Sequence, residues 1–81
     1  MGSRVDELEK RLKGMDFQEL IKMIDLARYN HERQYEPVAA SCMKKARRLM
    51  QKHDDFRTTL AENRPKVFAT LEVMERIYDV P

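Results

Sequence analysis

One cysteine, two glycines, three prolines and no tryptophan occur in this 81-residue chain, and each shortage removes a class of protein. A single thiol, Cys42, cannot close an internal disulfide, so the chain reads as cytoplasmic or nuclear rather than as a stapled secreted domain. His31 and His53 are the only histidines. No paired metal-ligand spacing is therefore present, and neither a metal nor any other cofactor is expected. The longest uncharged stretch, Pro37 to Met43, is far too short to span a bilayer. No apolar secretory segment follows Met1 either, so no membrane association is expected.

Catalysis needs polar groups converging in a protected pocket. The chain has no glycine-rich phosphate loop and no recognisable nucleophile turn. Cys42 and His53 share one helix face, but eleven residues of helix hold them about 16 Å apart. Cys42 is read as a small core residue and His53 as a cation at a helix C-terminus. His31 is read as a hydrogen-bonded histidine on an apolar face. No catalytic residue is assigned, and the chain is not expected to be an enzyme.

What remains is a helical vocabulary. Leu, Met, Ala, Glu, Lys and Arg dominate, the strong helix formers, and the few breakers suit helices better than turn-rich sheets. The expected fold is all-α: a compact bundle of four to five short helices. The pattern places them at about 4–13, 17–34, 37–53, 55–63 and 65–79. Met1-Gly2-Ser3 resembles an expression-tag remnant, leaving residues 4–81 as a single domain. The end at Val80-Pro81 suits a domain cut from a larger protein or a complete small one, as in phage and bacterial genomes.

Local signals set these boundaries. Ser3 can cap the first helix, with Asp6 at its third position. Val5, Leu8, Leu12 and Met15 form a narrow stripe, and Gly14 is expected to end this helix in the left-handed conformation. Asp16 then caps the second, where Glu19 completes a capping box and Met15 staples to Leu20. Its inner face is Phe17, Leu20, Ile21, Met23, Ile24 and Ala27, extended by His31 and Tyr35. Pro37 and Pro65 each stop one helix and start the next, and Asp54 and Asp55 can cap the short helix of Phe56 and Leu60. The last helix turns Val67, Phe68, Leu71, Met74, Ile77 and Tyr78 inward. A chain this short buries only roughly 60–65% of its unfolded surface, so the core is thin.

Charge is segregated. The net charge is only +2, but every formal charge from Pro37 to His53 is positive: Lys44, Lys45, Arg47, Arg48 and Lys52. No acid occurs between Glu36 and Asp54. At a hundred degrees per residue, Ala39, Cys42, Met43, Ala46, Leu49, Met50 and His53 share one arc, and Lys44, Lys45, Arg48 and Lys52 share the opposite one. Acids of neighbouring helices (Asp25, Glu32, Glu62, Glu72) could neutralise these cations within the fold. Left free, the face suits an acidic partner.

The leading functional expectation is a non-catalytic protein-interaction module, adaptor or regulatory in kind. It would bind an acidic or amphipathic segment through Lys44, Lys45, Arg47, Arg48 and Lys52, with a methionine or aromatic groove supplying apolar contact. Nucleic-acid binding by the same helix is the alternative, disfavoured because no aromatics interleave with the cations. A third reading pairs the Val5/Leu8/Leu12/Met15 stripe with its copy in a homodimer. Leu26 and Tyr29, away from the inner arc, join Arg28, Arg33 and Tyr35 as a second contact candidate, because tyrosine favours interfaces.

Overall fold

The computed structural model of the protein describes residues 3–78. Of the expected tag remnant at Met1-Gly2-Ser3, Met1, Gly2 and the side chain of Ser3, with its expected cap, lie outside what it describes, as does Asp79 at the end of the last expected helix. Four helices are present: α1 (Ser3–Glu32), α2 (Glu36–Lys52), α3 (Phe56–Asn63) and α4 (Pro65–Ile77). No strand occurs among the described residues. The all-helical bundle of four to five helices is as expected, with the first two expected segments joined into one.

The missing break is at Gly14. Residues expected to form two helices run through it as one helix of 30 residues. A glycine inside a helix costs only about 1 kcal/mol relative to alanine, and strong helix formers flank this one. A Cβ at Gly14 would meet nothing within 4 Å, so no tertiary contact near it favours a break. Asp16 and the Met15/Leu20 pair accordingly lie inside the helix rather than at its start.

The true end of α1 is a Schellman turn. Gln34 N–H donates to the His31 carbonyl at 3.0 Å and Tyr35 N–H to the Asn30 carbonyl at 2.8 Å, the paired bonds that define this motif. Gln34 occupies the left-handed position with φ 66°, where glycine is the usual residue. Pro37 then sits in the first turn of α2, where its missing N–H leaves no bond unmade.

The core lies where α2 and α4 pack on the C-terminal two-thirds of α1, with α3 folded against α4. Phe56, Leu20, Ile24, Leu60 and Leu71 are its largest fully buried side chains. Met23, Met43 and Met74 fill the gaps between them, as a flexible thioether can. Cys42 is buried and unpaired. Two residues expected inside are exposed instead, Tyr35 in the turn and Ile77 in the last turn of α4.

No buried polar or charged residue occurs among the described residues; polar contacts ring the core. Arg57 makes a two-pronged pair with the Glu75 carboxylate, joining α3 to α4. Its guanidinium lies 5.8 Å from the Phe68 ring centroid. The Glu75 hydrogen bonds hold the Arg57 pKa above its ordinary value. His31 Nδ1 and Tyr78 Oη share a 2.7 Å hydrogen bond between the ends of α1 and α4. Desolvation, then the Glu36 carboxylate, push the Tyr78 phenol above its usual pKa.

The molecule measures 50 × 23 × 21 Å with a radius of gyration of 13.8 Å. A compact chain of this length would have a radius of about 12 Å. The excess comes from the N-terminal stretch of α1: every residue from Arg4 to Met15 is exposed, and this stem projects beyond the bundle.

Candidate functional site

The sequence of α2 fixes which way it faces. Ala39, Cys42, Met43 and Ala46 are buried against α1, as their spacing predicts, so helical geometry carries the intervening cations outward. Lys44, Lys45, Arg47 and Arg48 are all exposed. None of the four has a carboxylate within 4.0 Å among the described residues. The acids that might have masked them are elsewhere: Glu32 pairs with Arg28, and Asp25, Glu62 and Glu72 make no such pair.

Lys52 differs from the other four. Its Nζ lies 3.0 Å from Asp16 Oδ2, so the last cation of the face is partly spent within the fold. The same carboxylate oxygen is 2.7 Å from His53 Nε2. Asp16 thus holds the C-terminal end of α2 to α1, and its pKa is lowered, first by the His53 hydrogen bond and next by that of Lys52. The His53 ring stacks on Phe56 at 4.2 Å, and Phe56 meets Phe17 edge-on at 5.2 Å. His53 therefore acts as a bridge to α1 in addition to marking the helix end.

Nearby, Lys13 Nζ reaches Asp55 Oδ2 at 2.8 Å and lowers the Asp55 pKa. Asp55 is the residue preceding α3, yet its side chain makes no capping bond. Its carboxylate is turned to Lys13 instead, at the point where the stem leaves the bundle.

The apolar half of the expected face differs from the reading above. Met23, Met43 and Met74 are buried, Met50 is half-buried, and Met15 lies on the stem. No methionine groove borders the cations. The apolar residue in register with them is Val38, half exposed and seven residues before Lys45 on the same side of α2.

The second candidate region comprises Leu26, Arg28, Tyr29, Arg33 and Tyr35. Leu26, expected to be exposed, is half-buried and packs against the core. Arg28 is paired with Glu32 at 2.9 Å. Arg33 lies 5.3 Å from the Tyr29 ring centroid, and Tyr35 is exposed in the turn before α2. A shallow groove of about 350 Å³ runs between α1 and α4 beside Arg28, lined by His31, Val73 and Ile77 among others.

Asp16 is the residue that sequence reasoning misplaced. A helix start was assigned to it because Gly14 precedes it. The apolar stripe of Val5, Leu8, Leu12 and Met15 does not itself continue beyond Met15, since the core face of Leu20, Met23, Ile24 and Ala27 lies about a quarter turn away, so spacing alone carried no signal against a break there.

Among the described residues, no group of three or more His, Cys, Asp or Glu side chains could hold a metal ion. No helix there is long and apolar enough to cross a membrane. Comparison with protein-family models, curated proteins and solved structures gives no match.

Proposed function

We propose that this chain is a non-catalytic protein-interaction module whose α2 binds an acidic segment of a partner protein. The observation carrying this reading is the set of four exposed cations, Lys44, Lys45, Arg47 and Arg48, without carboxylate partners among the described residues. Leaving them so has a cost. Lys44 and Arg48 stand one turn apart and repel by a few tenths of a kcal/mol. A partner carboxylate would relieve that repulsion.

Lys44, Arg48 and Lys52 repeat every four residues, about 6 Å along the helix. An acidic helix with carboxylates four residues apart matches that spacing, as does an extended strand with acids at alternate positions, roughly 6.6 Å apart. Val38, in line with Lys45, gives an amphipathic partner one apolar contact. A protein partner is favoured over nucleic acid because α2 presents no aromatic side chain for stacking and the chain as a whole is only +2.

The test compares a short fluorescent Glu-rich peptide with a random DNA duplex over a range of salt. The chain should bind the peptide, more weakly as salt rises. Replacing Lys44, Lys45 and Arg48 together by Glu should weaken that binding about 10–100-fold, at about 0.5–1 kcal/mol per lost pair, with helicity unchanged. Unchanged affinity would discard the assignment. Preference for the duplex, with a steep salt dependence, would replace it by nucleic-acid binding.

A further inference from the structure

We infer that the stem of α1 pairs with the stem of a second copy of this chain as a parallel two-stranded coiled coil. This does not depend on the acidic partner of α2. The stem is an exposed helix of about 20 Å, and its first fully buried residue on the bundle side is Leu20. Four apolar side chains stand on it largely in solvent: Val5 at 60%, Leu8 at 57%, Leu12 at 51% and Met15 at 67% exposure. Scattered apolar residues on a surface are ordinary, but these are aligned. They follow one another at three, four and three residues, the spacing of a coiled-coil seam, with Val5 and Leu12 at its a positions and Leu8 and Met15 at d.

Charges beside the seam select both the partner and its direction. In this register Arg4 and Arg11 occupy g positions, and Glu9 and Asp16 occupy e positions. Parallel pairing sets each g residue against the e residue five further along the other chain. Arg4 then meets Glu9 of the second copy, and Arg11 meets its Asp16: both contacts join opposite charges. Antiparallel pairing would bring g beside g and e beside e, crowding arginine on arginine and glutamate on glutamate. Asp16 already receives Lys52 and His53, so Arg4 with Glu9 is the pair free of competition inside the chain. Val at a with Leu at d also suits two strands.

The bundles leave room for this arrangement. On α1 the core-facing residues Leu20, Met23, Ile24 and Ala27 lie about a quarter turn round the helix from the seam. A twofold axis along the paired stems therefore puts the two bundles on opposite flanks. The seam also has a built end. The next a and d positions are Glu19 and Lys22, which a parallel dimer would set against their own copies, like charge on like charge. Pairing is thus confined to the stem. A stem this short is marginal as a lone helix, but here the bundle holds its C-terminal end in helical form.

The experiment is analytical ultracentrifugation of the full chain across a concentration series reaching the millimolar range. A monomer–dimer equilibrium is expected. Leu8→Glu with Leu12→Glu should abolish the dimer while the melting of the bundle, whose core excludes both residues, stays the same. Arg4→Glu should weaken dimerisation roughly tenfold, because it turns two symmetric attractions into repulsions, and adding Glu9→Arg should restore it. A monomer at every concentration, or a dimer indifferent to the leucine substitutions, would overturn the proposal. Loss of the dimer in Arg4→Glu without rescue by Glu9→Arg would overturn the parallel arrangement.

Discussion

Asp16 Oδ2 meets two consecutive residues where α2 ends: His53 Nε2 stands 2.7 Å away and Lys52 Nζ 3.0 Å away. Through this single oxygen, a residue midway along α1 ties down the end of α2. The contact also couples the fold to pH. Asp16 and Asp55 both have pKa values below the ordinary 3.8, held there by hydrogen bonds from His53 and Lys13 respectively. A carboxyl whose folded pKa is depressed contributes stability that is fully present above its unfolded pKa and is lost as pH falls through the folded one. Thermal melts of the wild type should therefore drop as pH falls from about 5 toward 2. The double substitution Asp16→Asn, Asp55→Asn should flatten that drop while lowering the melting temperature at neutral pH. An unchanged acid profile would show that neither carboxylate sets it.

Gly14→Ala should raise helix content and slow amide exchange in the stem, with a gain of up to about 1 kcal/mol in local stability. Space is available, since a Cβ there meets nothing within 4 Å, and the backbone is already helical. A loss of stability would indicate that the chain bends or breaks at this position after all.

Gln34→Gly should stabilise the whole domain by about 0.5–1 kcal/mol, because glycine adopts the left-handed conformation without the penalty a side chain brings. Gln34→Val, β-branched at φ 66°, should destabilise it by more than that. Urea denaturation of the two variants beside the wild type checks the sign of each. If both variants lost stability equally, the side chain of Gln34 and not its backbone angle would matter at the turn.

Phe56→Ala should cost about 3–5 kcal/mol, a large share of the roughly 4–12 kcal/mol available to a domain of this length. Phe56 is buried and meets both Phe17 and His53, so its loss opens a cavity where three helices converge. Val5→Ala, on the stem, should stay within about 0.5 kcal/mol of the wild type below the concentration at which dimers form. Equal effects of the two substitutions would contradict this division between bundle and stem.

Much of the bundle was legible in the sequence because burial follows helical spacing. The core arcs of α2 and of the second half of α1 emerge as their periods predict, and both prolines start helices where they should. The error at Gly14 has a definite cause. A glycine after a helix former looks the same whether or not the chain turns, and the deciding factor is whether tertiary contacts reward the turn. Leu26 illustrates the same limit. It lies off the inner arc, yet it packs on the core because more than one element lies against α1, and spacing within one helix carries no information about its neighbours. The cations of α2 were legible as a set, but the diversion of Lys52 to Asp16 was not. That pairing depends on the relative position of two helices rather than on either sequence alone.

The interior of this bundle contains carbon and sulfur side chains and, among the described residues, no hydrogen-bonding one. Dispersion and exclusion of water have no direction, so such a centre accepts exchanges among Leu, Ile and Met of similar volume at small cost. Directional contacts lie instead at the periphery, alongside the shape of the packed core: Lys13 with Asp55, Asp16 with His53, Arg57 with Glu75, and His31 with Tyr78. Volume-conserving exchanges in the middle should therefore leave a folded chain with little change in melting temperature, whereas removing all four couples together should lower it and blunt the cooperativity of the melt.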